Sequence, residues 1–403
     1  MSSLSPDDFT LLTDPQTEAL VERHLDDDPV RLAFRLKGDR EQARLVCQQV
    51  KVLQRAKAKL PSYYAARCII PPISYEQSSS ETAAGMKSYA GKLCIDLTCG
   101  LGVDAFHFSR SFDRVIAVER DPVLAEVARY NFDRLGAENI TVVNASAEDF
   151  LAAYDGPEAD LVYVDPARRS GGERVFLLED CSPNVLEITS LLLQKAKTAL
   201  VKLSPLFDVG EALRLFGPHV SKAEIVSIDG EVKELLVELT RSPERAEIAV
   251  SLGGGRSYRF GPEELADAPD EASGEVSGTE FLLIPDAAFY KGRLVKPLID
   301  RVYPEQKIRL TSKNGFAFAE EKPEGFPGRV YRILDTMDYQ PKKLKKELKT
   351  QGIARINILR RDFPFRSKEI KAALGIQEGG TRWFAFTEIA GKPTVFRVEP
   401  ARF

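Results

Sequence analysis

The chain has 403 residues, 43% hydrophobic and 29% charged, a length that predicts two or more folded units and a composition that excludes a disordered or collagen-like chain. Its five cysteines form no Cys-x-x-Cys pair and its three histidines are scattered, so we expect no disulfide framework and no metal site. It has no run of about 18 apolar residues and no signal-peptide start, so we expect no membrane association and a cytoplasmic location. The net charge of −4 divides unevenly, because residues 281–403 hold 25 Lys and Arg against 14 Asp and Glu, and a basic region of this kind favours a polyanionic partner.

Residues 1–72 predict an N-terminal helical unit. Apolar residues recur among charged ones at 32–36 and 40–60, and the longer stretch contains no Gly or Pro. Pro61 and the pair Pro71-Pro72 then mark the end of the unit, because proline cannot continue a helix.

From residue 91, short apolar stretches alternate with helix-length segments. The predicted strands are 93–97, 115–118, 140–143, 161–164 and 199–203, and the clearest helices are 122–135 and 183–197. This alternation indicates a parallel sheet with crossover helices. Strands 224–228 and 235–239 flank an Asp229-Gly230 turn and must pair antiparallel, because a parallel pair needs a crossover of about a dozen residues. Residues 73–242 therefore predict an α/β domain whose seven-stranded, Rossmann-like sheet is parallel except for its final hairpin.

The rest of the chain predicts two small α+β domains after a loosely structured connection at 241–278. Residues 243–335 comprise this linker and a domain with elements at 281–284, 294–301, 316–319 and 329–334. Residues 336–403 comprise helices at 341–350 and 367–374, a strand at 354–359, and a hairpin of 383–389 and 393–398.

A glycine loop follows the first predicted strand, in the segment Cys94-Ile-Asp-Leu-Thr-Cys-Gly-Leu-Gly-Val-Asp-Ala. Gly100 and Gly102 allow a tight turn and the close approach of a ligand to the backbone. The pattern Gly100-x-Gly102-x-x-Ala105 also satisfies the dinucleotide fingerprint, so the loop alone leaves both NAD and S-adenosylmethionine open.

Acidic residues at three successive strand ends favour S-adenosylmethionine. Asp96 could hold a methionine ammonium but would repel a pyrophosphate, Glu119 could accept two ribose hydroxyls, and Asp149 could meet an adenine amino group. Each acid taken singly could instead be a loop carboxylate or a helix cap. The predicted cofactor is S-adenosyl-L-methionine, and its candidate contacts in and after the glycine loop are Asp96, Cys99, Gly100, Gly102, Glu119 and Asp149.

The stretch 76–240 resembles the class I S-adenosylmethionine-dependent methyltransferases. Asp96-x-x-x-Gly100-x-Gly102 is similar to that family's motif I, and Glu119 and Asp149 are similar to the acids that follow it. This resemblance implies a methyltransferase that binds S-adenosylmethionine.

A polar segment at 75–84 precedes the first predicted strand. In the class I family the helix at this place often closes over the cofactor, which would involve Gln77 and Thr82. Ser78 with Glu81 three residues later also fits a helix capping box, and both roles can hold together.

The fourth predicted strand ends in Asp165-Pro-Ala-Arg168, beside the expected methyl group. Asp165 and the Pro166 carbonyl could accept hydrogen bonds from a base amino group and so direct its lone pair at the methyl sulfonium. Arg168 could stack on a base or bind a phosphate. Lys202, at the end of the fifth strand, is a candidate contact to a phosphate or to the substrate.

The same loop resembles two groups of enzymes. Amino-methylating enzymes carry Asp/Asn-Pro-Pro-aromatic, and Arg168 replaces the aromatic residue here. Asp-Pro-x-Arg resembles the uridine-C5 methyltransferases, which use a later cysteine as nucleophile. Cys181 is the candidate for that role, and an ordinary cysteine near a helix start is the other interpretation.

The C-terminal region carries a basic face with Phe363, Phe365 and Trp383 nearby, a combination that suits RNA backbone and stacking contacts but also an ordinary solvated surface. The candidate substrate contacts here are Lys342, Lys343, Arg360 and Arg361. The tail resembles the THUMP-like domain of a family of bacterial methyltransferases, and the unit before it resembles that family's ferredoxin-like domain.

This resemblance implies an RNA partner and methylation of a base amino group in tRNA or rRNA. The alternatives are a methyltransferase for a protein or small molecule, and a non-catalytic RNA-binding protein with a relict cofactor fold.

Overall fold

A computed structural model describes residues 4–36, 39–168, 178–265 and 276–401. The chain divides into two compact units, one formed by Met1–Val226 with Lys233–Ser257 and the other by Ser227–Val232 with Tyr258–Phe403. In these described ranges no helix combines the length and apolar character needed to cross a membrane.

The first unit contains twelve α-helices within the described ranges and a large sheet. The helices are α1 Pro6–Leu12, α2 Pro15–Arg23, α3 Pro29–Arg35, α4 Arg40–Lys59, α5 Pro61–Ala65, α6 Pro72–Gln77, α7 Glu81–Gly85, α8 Val103–Phe108, α9 Pro122–Leu135, α10 Ala147–Ala153, α11 Val185–Lys195 and α12 Val209–Phe216. The strands are β1 Gly91–Asp96, β2 Phe112–Glu119, β3 Ile140–Asn144, β4 Ala159–Val164, β5 Ala167–Arg168, β6 Cys181–Ser182, β7 Ala196–Leu203, β8 Val220–Ile228, β9 Glu231–Leu239, β10 Glu247–Leu252 and β11 Arg256–Phe260.

The N-terminal helices share a hydrophobic core with the start of the α/β fold. Buried side chains of α4 and α5 pack with Leu101 and Val103 of the glycine loop and with Val127 of α9. The side chain of Asn131 on α9 also bonds both the N–H and the C=O of Ile69, at 2.8 and 2.9 Å. These contacts fix the helical unit against the loop that begins the site.

The main sheet has the strand order β11-β10-β8-β9-β7-β4-β1-β2-β3. The pairs β1–β2, β2–β3, β1–β4 and β4–β7 are parallel, and β9 pairs antiparallel with β7. Asp229 and Gly230 join β8 to β9 with φ values of 54° and 79°, the left-handed backbone that a two-residue hairpin turn requires. The predicted α/β fold, with parallel strands followed by a hairpin, is therefore confirmed, but the hairpin does not end the sheet.

The predicted count of seven strands is wrong, because the sheet has nine. Strands β10 and β11 lie in the stretch 241–278, which the sequence predicts to be a loose connection. Ile248 and Val250 of β10 are fully buried. The sequence around these short strands is rich in Gly, Pro and Glu, so their apolar residues do not stand out as a strand pattern.

The second unit is built on a seven-stranded sheet in the order β13-β14-β12-β15-β18-β17-β16. Its elements are β12 Phe281–Pro285, α13 Ala287–Lys291, α14 Val295–Val302, β13 Ile308–Leu310, β14 Ala317–Ala319, β15 Gly328–Asp338, α15 Pro341–Thr350, β16 Arg355–Arg360, α16 Ser367–Leu374, β17 Gln377–Ile389 and β18 Lys392–Pro400. Strand β15 pairs with both β12 and β18, so elements from residues 243–335 and 336–403 share one sheet. The four-part division at 72, 242 and 335 stays a prediction.

Candidate active site

A cavity of about 1030 Å³ opens where the parallel strands of the first unit end. The segments that follow β1, β2, β3, β4 and β7 each contribute to its wall, and α6 covers part of it. This is the edge at which open α/β sheets bind ligands, because the loops after parallel strands meet there. Of the predicted site residues, the wall contains Gln77, Cys99, Gly100, Gly102, Glu119, Asp165, Pro166 and Lys202.

The glycine loop has the backbone that only glycine adopts without strain. Gly100 and Gly102 have φ values of 56° and 86°, and a Cβ on Gly102 would collide with the ring of Phe132. The Gly100 N–H donates to Glu119 Oε2 at 2.8 Å, while the buried Tyr63 hydroxyl donates to the Leu101 carbonyl at 3.2 Å. The loop is therefore held from both sides while one face remains open to the cavity.

Asp96 ends β1 as a buried carboxylate beneath this loop. Its Oδ1 accepts from the Thr98 N–H at 2.9 Å, whereas its buried Oδ2 has no hydrogen-bond partner among the described residues. Burial raises the pKa of Asp96 well above its usual range, and the nearby carboxylates of Asp104, Asp165 and Glu119 raise it further. An unpaired acidic oxygen of this kind fits a ligand ammonium, but Asp96 itself is not among the residues that line the cavity, so its cofactor role stays a prediction.

Glu119 and Asp149 differ in how their carboxylates are used. Glu119 lines the cavity and accepts from the backbone N–H groups of Gly100 and Asp121, at 2.8 and 2.9 Å. Asp149 lies on α10 and accepts the Ser146 hydroxyl at 2.7 Å, so it belongs to a helix cap. The cavity wall contains Ser146 but not Asp149, and it contains Gln77 but not Thr82. The predicted cofactor contacts of Glu119, Asp149, Gln77 and Thr82 stay predictions.

Asp165 and Lys202, which both line the cavity, form an ion pair. Lys202 Nζ lies 2.6 Å from Asp165 Oδ2 and donates to Ser79 Oγ at 3.1 Å. Burial alone would lower the pKa of Lys202, but Asp165, Asp104 and Glu234 outweigh it and raise that pKa. Lys202 is thus a cation paired with Asp165. The contact to a phosphate or to the substrate that the sequence predicts for it stays a prediction.

A second buried cation lies behind this pair. Lys87, whose side chain has no exposed surface, contacts Asp104 Oδ1 at 3.0 Å and Glu234 Oε1 at 2.6 Å. Ser79 Oγ donates to Asp104 Oδ2 at 2.8 Å and so links the two ion pairs. Sequence reasoning missed these residues, because the partners are far apart in the chain and no local pattern joins them; the one signal was an acid, Asp104, next to the glycine loop.

The segment after β4 is fixed by a short antiparallel pairing. Ala167 and Arg168 pair with Ser182 and Cys181, which places Cys181 in the cavity wall. The side chain of Arg168 lies outside what the structure describes, so its proposed catalytic role stays a prediction. Cys181 is almost fully buried.

The predicted substrate contacts of the second unit are of two kinds. Lys342 and Lys343 are exposed on α15, and Arg360 is exposed at the end of β16. The Arg361 guanidinium, by contrast, lies 3.4 Å from the centre of the Tyr290 ring and donates to the Asn314 carbonyl at 3.1 Å. Burial lowers the pKa of Arg361. Arg361 is therefore a packing residue in the first instance, and its role in RNA binding stays a prediction.

Two family models match parts of the chain: "Conserved hypothetical protein 95" at residues 83–196 and "THUMP domain-like" at residues 328–400. An uncharacterized S-adenosylmethionine-dependent methyltransferase of Mycobacterium tuberculosis is 23% identical over 331 residues, which cover 80% of this chain and 86% of that protein. A tRNA/tmRNA (uracil-C(5))-methyltransferase of Saccharophagus degradans is 30% identical over 135 residues, which cover 28% of this chain and 37% of that protein.

The crystal structure of a protein from Porphyromonas gingivalis W83 that is described as a methyltransferase covers 100% of both chains, with a TM-score of 0.82 and 24% identity, and so shows the fold. The chain therefore has the fold of that protein, and its cavity lies at the strand ends of this fold. The matched relatives and family models identify the chain as an S-adenosylmethionine-dependent methyltransferase that carries a THUMP-like domain.

Proposed function

We propose that the protein transfers a methyl group to an amino group of a base in tRNA or rRNA by direct displacement. The observation that carries this proposal is that Asp165 and Pro166 line the same cavity as the glycine loop. S-adenosylmethionine, when bound, supplies an electrophilic methyl group at this place. The residues that would hold it are Asp96, Gly100, Gly102 and Glu119, with Gln77 from α6.

The acceptor nitrogen needs help because a base amino group is planar and its lone pair is delocalised into the ring. Asp165 and the Pro166 carbonyl would accept its N–H groups and localise that lone pair toward the methyl group. Arg168 would stack on the base or bind the adjacent phosphate. Substitution of Asp165 by Asn should lower kcat by about 10²-fold or more, since a positioned proton acceptor contributes about 10²–10⁴-fold.

The test is transfer to RNA. Purified protein, S-adenosylmethionine and unmodified tRNA or rRNA are incubated, and methylated nucleosides are identified by mass spectrometry, with Asp165→Asn as the negative control. The expected product is an N-methylated adenine, cytosine or guanine. Cofactor binding without any methylated nucleoside would overturn the RNA assignment and leave a protein or small molecule as the acceptor. No cofactor binding would leave the non-catalytic alternative.

We expect the exposed lysines of α15 to bind the RNA backbone. Because each lost phosphate contact should reduce the slope of log affinity against log salt by about 1, Lys342→Glu with Lys343→Glu should reduce it by about 2. The matched control changes two exposed lysines of α4, Lys51 and Lys57, to Glu. Equal effects of the two pairs would remove the tail from the proposal.

One observation favours a second candidate, methylation at C5 of uracil. Cys181 lies in the cavity wall beside the Asp165 loop, and several partial relatives are named tRNA/tmRNA (uracil-C(5))-methyltransferases. A thiolate nucleophile would make C5 electron-rich by adding to the ring. Loss of transfer in Cys181→Ala together with a 5-methyluridine product would support this route. Full activity of Cys181→Ala would exclude it.

A further inference from the structure

The Asp165–Lys202 pair joins a larger buried arrangement. Lys202 Nζ contacts Asp165 Oδ2 at 2.6 Å and Ser79 Oγ at 3.1 Å, and the Lys202 side chain is 13% exposed against 36% for Asp165. The cation therefore lies deeper than the carboxylate it holds. A charged donor in this position fixes the side-chain rotamer of its partner more firmly than a solvated one, because water competes with it less.

The groups behind Lys202 hold it in turn. Ser79 donates to Asp104 Oδ2 at 2.8 Å, and the Tyr163 hydroxyl donates to the same oxygen at 3.2 Å. Lys87 neutralises Asp104 from the other side and also pairs with Glu234 of β9. Ser79 thus contacts Lys202 directly, whereas Asp104 and Glu234 act on it electrostatically.

Other charged groups also face this arrangement. Asp96 and Glu119 approach from the ends of β1 and β2, and the Lys59 ammonium on α4 repels that of Lys202. Asp165, Asp104 and Glu234 outweigh burial and this repulsion and raise the pKa of Lys202, so Lys202 carries a positive charge and does not act as a base. Its remaining capacity is to hold an anion.

We propose that Lys202 is a positioning residue, which binds Asp165 by Oδ2 so that Oδ1 faces the acceptor, and that it does not contact RNA phosphate. This inference rests on the proposed function and refines its substrate class. With Oδ2 held by the Lys202 ammonium, Oδ1 is the Asp165 oxygen left to accept a hydrogen bond from the substrate, so a reacting atom that carries an N–H fits this site. An exocyclic amino group carries such an N–H at the reacting atom, whereas uracil C5 does not.

The experiment separates positioning from binding through kcat and KM. In Lys202→Met, kcat should fall by about 10–100-fold, because a misplaced catalytic group costs about that much, while KM for RNA and Kd for S-adenosylmethionine change less than about twofold. Lys202→Arg should restore part of kcat. Lys202→Met should have little further effect in an Asp165→Asn background, because the group to be positioned is already altered.

The matched control is Lys197→Met. Lys197 lies on the same strand and pairs with Asp160 Oδ1 at 2.7 Å, but at the opposite end of β7 and exposed. It should leave kcat and KM unchanged. A rise in KM for RNA with unchanged kcat in Lys202→Met, or fully additive losses in the double variant, would overturn the inference.

A second readout does not depend on RNA. The ammonium of Lys202, followed by NMR of ¹³Cε-labelled lysine, should titrate at a higher pH than ordinary lysines and shift to lower pH in Asp165→Asn. If the wild type methylates no RNA but this shift is seen, the proposed function fails while the ion pair stands. If Lys202 titrates like an ordinary lysine and does not respond to Asp165→Asn, the positioning role fails whatever the substrate is.

Discussion

Replacing the buried Lys87 by Met should destabilise the first unit strongly. The Lys87 side chain has no exposed surface and contacts two acids, at 3.0 Å from Asp104 and 2.6 Å from Glu234. Methionine fills a similar volume but leaves both acids without this cation. Removing one partner of a buried pair costs about 3–5 kcal/mol, and we expect a loss in that range because Asp104 keeps its bonds from Ser79 and Tyr163 while Glu234 loses its ion pair.

The loss should depend on pH with a definite sign. In the wild type, burial alone would raise the pKa of Asp104, but Lys87 and Lys202 lower it, so this carboxylate stabilises the fold above its usual pKa. Burial already raises the pKa of Glu234 in the wild type, and without Lys87 the pKa values of Asp104 and Glu234 both move upward in the folded state. The folded variant then binds more protons than the unfolded chain, so its stability falls as pH rises from about 4 to 7. The difference from wild type should therefore be smaller at low pH.

The assay is amide hydrogen exchange of β1 and β9, measured by mass spectrometry between pH 5 and 7.5 after correction for intrinsic exchange rates. It is preferred to fluorescence because the single tryptophan, Trp383, lies in the second unit. Lys92→Met, an exposed lysine on β1, is the control, and Lys87→Met with Glu234→Gln should recover part of the loss. A loss below about 1 kcal/mol, or one that does not vary with pH, would refute the reasoning.

Three further outcomes follow from the site. Asp96→Asn should weaken S-adenosylmethionine binding by tenfold or more, about 1.4 kcal/mol by calorimetry, whereas Asp149→Asn should change it less than about threefold, because that carboxylate caps a helix. Gly102→Ala should lower the free energy of urea unfolding by more than Gly136→Ala, since both glycines have positive φ but only at Gly102 does a Cβ meet a ring. Tyr63→Phe should cost about 1–2 kcal/mol in the same assay, because a buried carbonyl of the glycine loop loses its donor.

The strand ends could be predicted because they depend on local signals. An apolar stretch followed by glycines or an acid fixes where a parallel strand stops, and Asp96, Glu119 and Asp165 all lie at such ends in the structure. The same local logic explains Asp149. Ser146 three residues before it forms the cap that the sequence allowed as its alternative role, and the structure shows that contact.

The rest of the site depends on contacts between distant parts of the chain. Lys87 gives no sign in the sequence of its partners on α8 and β9, and nothing near Lys202 indicates that Asp165 will pair with it. Arg361 belongs with the other basic residues by sequence, yet it stacks on Tyr290. Whether a charged side chain meets a ligand or only packs inside the protein therefore depends on tertiary contacts. The periodicity and spacing of the sequence do not reveal those contacts.

The acids near the cavity fall into two groups, those with a lysine partner and those without one. Asp104 and Asp165 each have a lysine within 3.0 Å, so their charge is already balanced by the protein. Asp96 and Glu119 form no ion pair within the part of the chain that the structure describes: Asp96 keeps one oxygen unbonded, and Glu119 accepts from backbone N–H groups. Burying such acids is costly unless a partner arrives. The two unbalanced acids are consequently the places where we expect a ligand's ammonium and hydroxyl groups to lower the free energy most. Asp104, by contrast, is bound by Lys87 and Ser79, and Asp165 is held by Lys202.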